Sequence, residues 1–295
     1  MTLIAEPELR FCDRGGIAPF LEQIDEWLLP GAFYGAQHTW PQLYRSDGDG
    51  RFCALFDAER LVSQCAFRIA TARTDQGLRR VALLGSVVTD PDFRGHGYAQ
   101  RVVRASLDAC KASGADMALL WAEEQGLYAR CGFVAGIDET CCVVESGIAN
   151  EDGVVREATI FDHARLHSLH SQKPLGIQRT LRAMSALLTT PGLSTFVLER
   201  SGEVVAYACT GKGADLQGWW HEFGGSDNDI ASLLPRALDL TGHPQAIVIV
   251  PPYRNALVRE LGPACIEVAT VAGPMVAKLT DGIGATVFVD GLDSV

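Results

Sequence analysis

Between residues 87 and 99 the chain reads Val-Val-Thr-Asp-Pro-Asp-Phe-Arg-Gly-His-Gly-Tyr-Ala, and this segment constrains the fold more than any other. An apolar strand ends at Thr89, Pro91 blocks its continuation, and a helix opens near Gly97. Arg94, Gly95 and Gly97 fill the strand-to-helix turn. Glycines there let successive amide hydrogens point into one concavity, and the helix N-terminus adds positive potential. The result is an anion cradle suited to a pyrophosphate, with Arg94 as a fork for phosphate oxygens. No Gly-Lys-Ser/Thr follows, so it is not a Walker P-loop. Its spacing and an antiparallel flanking sheet separate it from the dinucleotide fingerprint. The competing reading is a Gly-rich turn that simply joins strand to helix.

The elements around this turn alternate in type. Ile17, Leu21, Ile24 and Leu28 recur at helical spacing over 17–29 and stop at Pro30. Three strand-like runs follow at 52–56, 61–72 and 78–89, with short turns that imply a meander of hairpins. A helix spans 97–114, a buried strand 117–121, a short helix 125–131, and strand structure resumes at Phe133. A polar stretch at 146–153 reads as a linker. Beyond it the order recurs: helices at 162–171 and 178–189, strands at 194–200, 203–210 and 218–223, a helix at 228–241, a strand at 245–250, a short helix at 252–261 and strands over 264–280. The expected fold class is therefore α/β with mixed sheets, as two tandem domains of one fold at 1–149 and 150–295.

Two motifs carry a family resemblance. Arg94-x-x-Gly97-x-Ala99 after an apolar strand, and Leu127-Tyr128-Ala129-Arg130-Cys131-Gly132-Phe133 about 30 residues on, resemble the paired motifs of the GNAT acyltransferase superfamily. The resemblance covers about residues 5–145; the second half is similar only in element order, as in tandem members of the family. It implies an acyl-CoA N-acyltransferase fold whose fourth and fifth strands part to admit pantetheine. Backbone groups of Val87, Val88 and Thr89 would bond the pantetheine, and the amides of Arg94, Gly95, His96, Gly97, Tyr98 and Ala99 would hold the pyrophosphate of acetyl-CoA. Asp90 and Asp92 adjoin this turn but would repel phosphate, so they receive no ligand role. A backbone amide near Val87 or Val88 would polarise the thioester carbonyl. Tyr128 stands where relatives place the acid that protonates the departing thiolate. Its competing reading is a packing tyrosine. Glu123 and Glu124, after the strand ending at Trp121, are candidate bases; a positioned water or a plain solvated pair are the alternatives.

Charge and cysteine usage bound the partners. The net charge of −11 divides into −6 for residues 1–150 and −5 for the remainder, so there is no cationic face for nucleic acid or an anionic membrane. Nine cysteines, an odd number without a CxxC pair, fit a reduced cytoplasmic interior better than a disulfide framework. No apolar run reaches the length of a membrane span. Cys131 has no neighbouring histidine and is not expected to act as a nucleophile. His163, His167 and His170 share a helical face but read as a solvated one, so no metal is expected.

The acceptor is inferred from the first helix and loop. Glu22, Asp25, Glu26, Phe33, Tyr34, Trp40 and Tyr44 would favour a small cationic amine or peptide amine, against the alternative of a solvated acidic face with core aromatics. In the second domain, Trp219-Trp220-His221-Glu222 occupies the place of the cofactor strand. The turn after it lacks an arginine and carries Asp227 and Asp229, so this domain is expected not to bind acyl-CoA. Its expected role is to shape the acceptor site or to join two copies as a homodimer. Two other functions compete with acetyl transfer: a non-catalytic acyl-CoA sensor or scaffold, and aminoacyl transfer from charged tRNA, which the acidity disfavours.

Overall fold

The computed structural model describes residues 6–147, 152–254, 256–282 and 284–295. Two mixed sheets form the frame. The first contains β1 (Glu8–Cys12), β2 (Arg51–Asp57), β3 (Arg60–Thr74), β4 (Gly77–Thr89), β5 (Met117–Leu120) and β6 (Val134–Ala135). The second contains β7 (Glu139–Glu145), β8 (Val154–Glu157), β10 (Ser194–Arg200), β11 (Glu203–Lys212), β12 (Asp215–Gly224), β13 (Gln245–Val250) and β14 (Cys265–Val271). A two-residue β9 (Gly176–Ile177) pairs with β3, and β15 (Met275–Lys278) completes the first sheet.

The hairpins expected from alternation and turn chemistry are present: β2, β3 and β4 pair antiparallel in succession. The helix Tyr98–Ala112 lays Val102, Val103, Leu107 and Cys110 against Phe67, Ala82 and Leu84 of the first sheet. Each large aliphatic side chain so buried contributes about 1.5–3 kcal/mol over an exposed one. On the opposite face, Ile17, Ile24 and Leu43 pack on Phe52, Ala54 and Phe56. The predicted helix over 17–29 is shorter, Leu21–Leu28, preceded by single turns around Pro19. In the second half, Ile230, Leu233, Leu234 and Leu238 of the helix Asp227–Thr241 cover the corresponding sheet.

The two sheets exchange one strand each. The strand order of the first is β1-β2-β3-β4-β5-β15-β6 and of the second β14-β7-β13-β12-β11-β10-β8. Thus β15, from the end of the chain, enters between β5 and β6, and β7 enters between β13 and β14. The strand structure expected from 133 onward is interrupted at Gly136–Asp138, and the strands expected over 264–280 are separated at Ala272–Pro274, with the two pieces of each in different sheets. The boundary expected at 149/150 lies outside the described residues, and sheet membership crosses it in both directions. No helix among the described residues is long and apolar enough to cross a membrane. All nine cysteines are free thiols, most of them buried.

Candidate functional site

Each sheet has a parallel pair at its centre, and in each the pair parts. β4 and β5 pair from Val81–Met117 to Leu83–Leu119, after which β4 parts from β5 and runs on to Thr89 paired with β3 only. A register shift against β3 and a positive φ at Ser86 turn the end of β4 aside. Tyr44 buttresses this bulge, its hydroxyl 2.5 Å from Ser86 Oγ and accepting from Gln64 Nε2 at 2.7 Å. Burial raises the Tyr44 phenol above its usual pKa. Tyr44 is thus a support, not the acceptor contact expected of it.

Beyond Thr89 the chain makes a 3-10 turn over Pro91–Phe93 and enters the helix at Tyr98. Gly95 (φ +83°) and Gly97 (φ +78°) take the left-handed conformation, and a Cβ built on either meets nothing within 4 Å. The turn is therefore open toward solvent, as a ligand cradle must be. Arg94 Nε donates to the Thr89 carbonyl at 3.3 Å, and the His96 ring stacks on Tyr98 at 5.7 Å. Asp90 and Asp92, the two acids that would oppose an anion, are both bound by Arg60 at 2.6 and 3.0 Å. Asp90 also accepts from the Asp92 amide and so shapes the turn. That neutralising arginine, 30 residues upstream on β3, was invisible to local sequence reading.

Where β4 and β5 part, a cavity of about 480 Å³ opens between the two halves of the chain. Leu84 to Val87, Trp121 and Tyr128 line it from the first half, and Asp215, Trp219, His221 and Ile249 from the second. Of the seven residues expected on the acceptor side, Trp40 is the one that reaches it. Asp25 accepts from the Ala36 amide at 2.7 Å and shapes its own loop, Glu22 and Glu26 are exposed, and Tyr34 lines a different groove. Tyr128 has no hydrogen-bond partner among the described residues, and burial raises its pKa to about 12. Glu123 and Glu124 are exposed and lie outside the cavity lining. Two carboxylates do line it, Asp215 on β12 and Glu139 at the start of β7.

His221 shows how tightly the second half closes on this cavity. Its Nε2 donates to the Gly211 carbonyl at 2.9 Å, and burial pushes its pKa down to about 4. An unfolded histidine titrates near 6.5. As pH falls from about 6.5 toward 4, the unfolded chain takes up a proton that the folded ring refuses. Between pH 7 and pH 5 this residue should remove about 2 kcal/mol of stability. In denaturant titrations at those two pH values, His221→Gln should shrink the acid-induced loss by that amount; equal losses in both proteins would contradict it.

The second splay is occupied by the chain itself. β12 and β13 pair only at Trp219–Ile247 and Trp220–Val248 and then part. The Gly291 amide bonds the His221 carbonyl of β12 at 3.2 Å, and Phe288 packs edge-on against Tyr253 at 6.0 Å. Lys173 holds Asp290 at 2.8 Å, Arg179 holds Asp293, and Lys212 Nζ donates to the Gly291 and Ser294 carbonyls at 2.9 and 2.8 Å. At the following turn Arg254 donates to the Gly225 carbonyl and pairs with Asp227 at 2.7 Å, while Asp229 accepts from Ser226 Oγ in a cap. The segment continues into the cavity, where a Cβ on Gly85 would collide with the Val295 backbone. The histidine face expected to be solvated is partly buried instead: His170 is 3% exposed and His167 half-buried, and each bonds a backbone carbonyl at 2.8 Å. His170 lies near Glu222 and Asp290, whose carboxylates already hold Arg179 and Lys173.

This arrangement has counterparts. Residues 31–136 match the acetyltransferase (GNAT) domain family. None of the curated proteins compared matches the sequence. Among solved structures, the chain is similar to a conserved protein of unknown function from Enterococcus faecalis V583, described as a probable N-acyltransferase (12% identity, TM-score 0.71, 92% of this chain and 73% of that one). It is also similar to a GCN5-related N-acetyltransferase from Kribbella flavida (15%, 0.67, 92% and 71%) and to Eis1 from Mycobacterium abscessus (12%, 0.62, 92% and 74%). At such identities the likeness is one of fold. The matched segment contains β2 to β5, the glycine cradle and Tyr128, so residues 31–136 are similar to a GNAT acetyltransferase domain, and the two-sheet α/β fold is the one shared with those solved structures.

Proposed function

We propose that the protein transfers an acetyl group from acetyl-CoA to a primary amine of a small cationic acceptor, by direct attack in a ternary complex. The observation that carries this reading is the placement of Tyr128: an unpartnered phenol at the cavity where β4 and β5 part, in the same domain as an open glycine cradle. The backbone of Val87, Val88 and Thr89 offers a free strand edge for the pantetheine amides. The amides from Arg94 through Ala99 face the pyrophosphate, with the Arg94 guanidinium beside them. An amide of the β4 bulge polarises the thioester carbonyl. Tyr128 then donates its proton to sulfur as the C–S bond breaks, a role suited to a phenol that stays protonated at all physiological pH.

The acceptor side supports a cation. Trp40, Trp121 and Trp219 supply aromatic faces, and Glu139 and Asp215 supply carboxylates, in one cavity. Its second-half wall is the part that loop residues 22–34 were expected to provide. The second splay, plugged by Gly291 and its neighbours and by the Arg254–Asp227 pair, is proposed to be closed to acyl-CoA.

The test is calorimetric titration with CoA followed by mass-spectrometric screening of amines with acetyl-CoA. Acetylation of a small diamine is expected; tight CoA binding without any acylated amine would replace catalysis by a sensing role. Gly97→Ala forces a Cβ into the left-handed region at a cost of about 1–2 kcal/mol, so CoA should bind about tenfold more weakly. Unchanged affinity would show that the turn is not the phosphate site.

A further inference from the structure

We propose that Glu139 is the general base of this acyl transfer, receiving the proton of the incoming ammonium; the role rests on the acyl-transfer reading above. An alkylammonium titrates near pH 10, so at neutral pH only about one molecule in a thousand is nucleophilic without a base. Glu123 and Glu124 stand exposed outside the cavity and cannot serve the buried reaction centre.

The ionisable side chains lining the cavity from both halves are Tyr128, Glu139, Asp215 and His221. Tyr128 is needed as an acid. Asp215 is already engaged, paired with Lys212 at 3.3 Å and accepting from the Leu216 amide at 3.0 Å. His221 is wholly buried, and Gly291 packs so closely that a Cβ there would strike the imidazole at Nδ1. Glu139 is half-buried and is the carboxylate of this set with no ion-pair partner among the described residues.

Its position follows from the strand exchange. Glu139 is the first residue of β7, where the chain leaves the first sheet for the second, opposite Val271 of β14. The Gly273 backbone packs so closely that a Cβ there would lie 3.3 Å from Glu139 Cγ. Trp121, just past the end of β5, lines the same cavity as Glu139 and Tyr128. Burial also raises its pKa, bringing its basicity closer to the working pH.

Glu139 takes one proton from the ammonium, and the freed amine lone pair forms the C–N bond. The C–S bond breaks, and sulfur takes the Tyr128 proton. The second amine proton returns to the phenolate, and Glu139 releases its own to solvent. Products are the amide, CoA thiol and one proton.

The test compares kcat/KM against pH for wild type and Glu139→Gln, using an alkylamine and a hydrazide, which is already neutral at pH 7. With the alkylamine, Glu139→Gln should lose about 10²–10³-fold at pH 7 together with the acid limb of the profile. With the hydrazide the loss should stay below about tenfold, with CoA affinity unchanged as the check on folding. Glu139→Asp should retain the acid limb at a reduced rate. Equal losses with both nucleophiles, or a wild-type profile in Glu139→Gln, would overturn the assignment while leaving acyl transfer intact. A wild type that acylates neither nucleophile would instead remove the reading on which the assignment rests.

Discussion

Tyr128→Phe should lower kcat by about 10²–10⁴-fold while leaving the Kd for CoA within about twofold. The substitution removes one oxygen and little else. The ring packs edge-on against Phe133 at 6.2 Å and against the first core, contacts that phenylalanine keeps. The hydroxyl has no hydrogen-bond partner in the described protein, so its removal orphans no donor or acceptor. Any loss of rate is then a loss of the proton it delivers to the departing sulfur. Because burial holds its pKa near 12, the wild-type rate should show no alkaline fall-off from this group below that range. Steady-state kinetics with acetyl-CoA decide the point; a variant within threefold of wild type would reduce Tyr128 to packing.

Arg179→Met should destabilise the protein by about 3–5 kcal/mol. The guanidinium is wholly buried and makes two hydrogen bonds to Glu222, at 2.6 and 2.8 Å, and another to Asp293 at 2.8 Å. Its charge and that of Lys173 hold the Glu222 carboxyl well below its ordinary range despite burial. Removing the cation would leave two buried carboxylates partly uncompensated. The effect should reach the cavity as well, because Asp293 belongs to the segment that fills the second splay and continues to Val295. Urea denaturation at pH 7 measures the first effect and the acceptor KM the second. A loss below 1 kcal/mol would mean that water or rearrangement satisfies these acids.

The cradle and its acid were legible in the sequence because both are local. Pro91, Gly95 and Gly97 fix a turn by backbone sterics, and Tyr128 lies in a short motif a few residues from Phe133. The strand exchange was not legible. Periodicity in Thr140–Val144 or in Met275–Ala277 records that a strand is buried, not which sheet buries it, and Gly136 and Pro274 look like ordinary turn residues. The segment after residue 284 has no periodic signal, since its burial comes from Lys173, Arg179 and Lys212, far away in the chain. Glu139 was missed for the same reason: a lone acid opening an apolar strand became informative only once β7 crossed between the sheets. The acidic loop residues failed as acceptor contacts because Asp25 serves the local backbone while Glu22 and Glu26 face solvent.

One acyl-CoA should bind per chain, at the first splay, because residues 288–293 and Arg254 fill the second. Isothermal titration with CoA should give one CoA per chain for the wild type and no measurable binding for Arg94→Glu. Two CoA per chain, or undiminished affinity in Arg94→Glu, would contradict it.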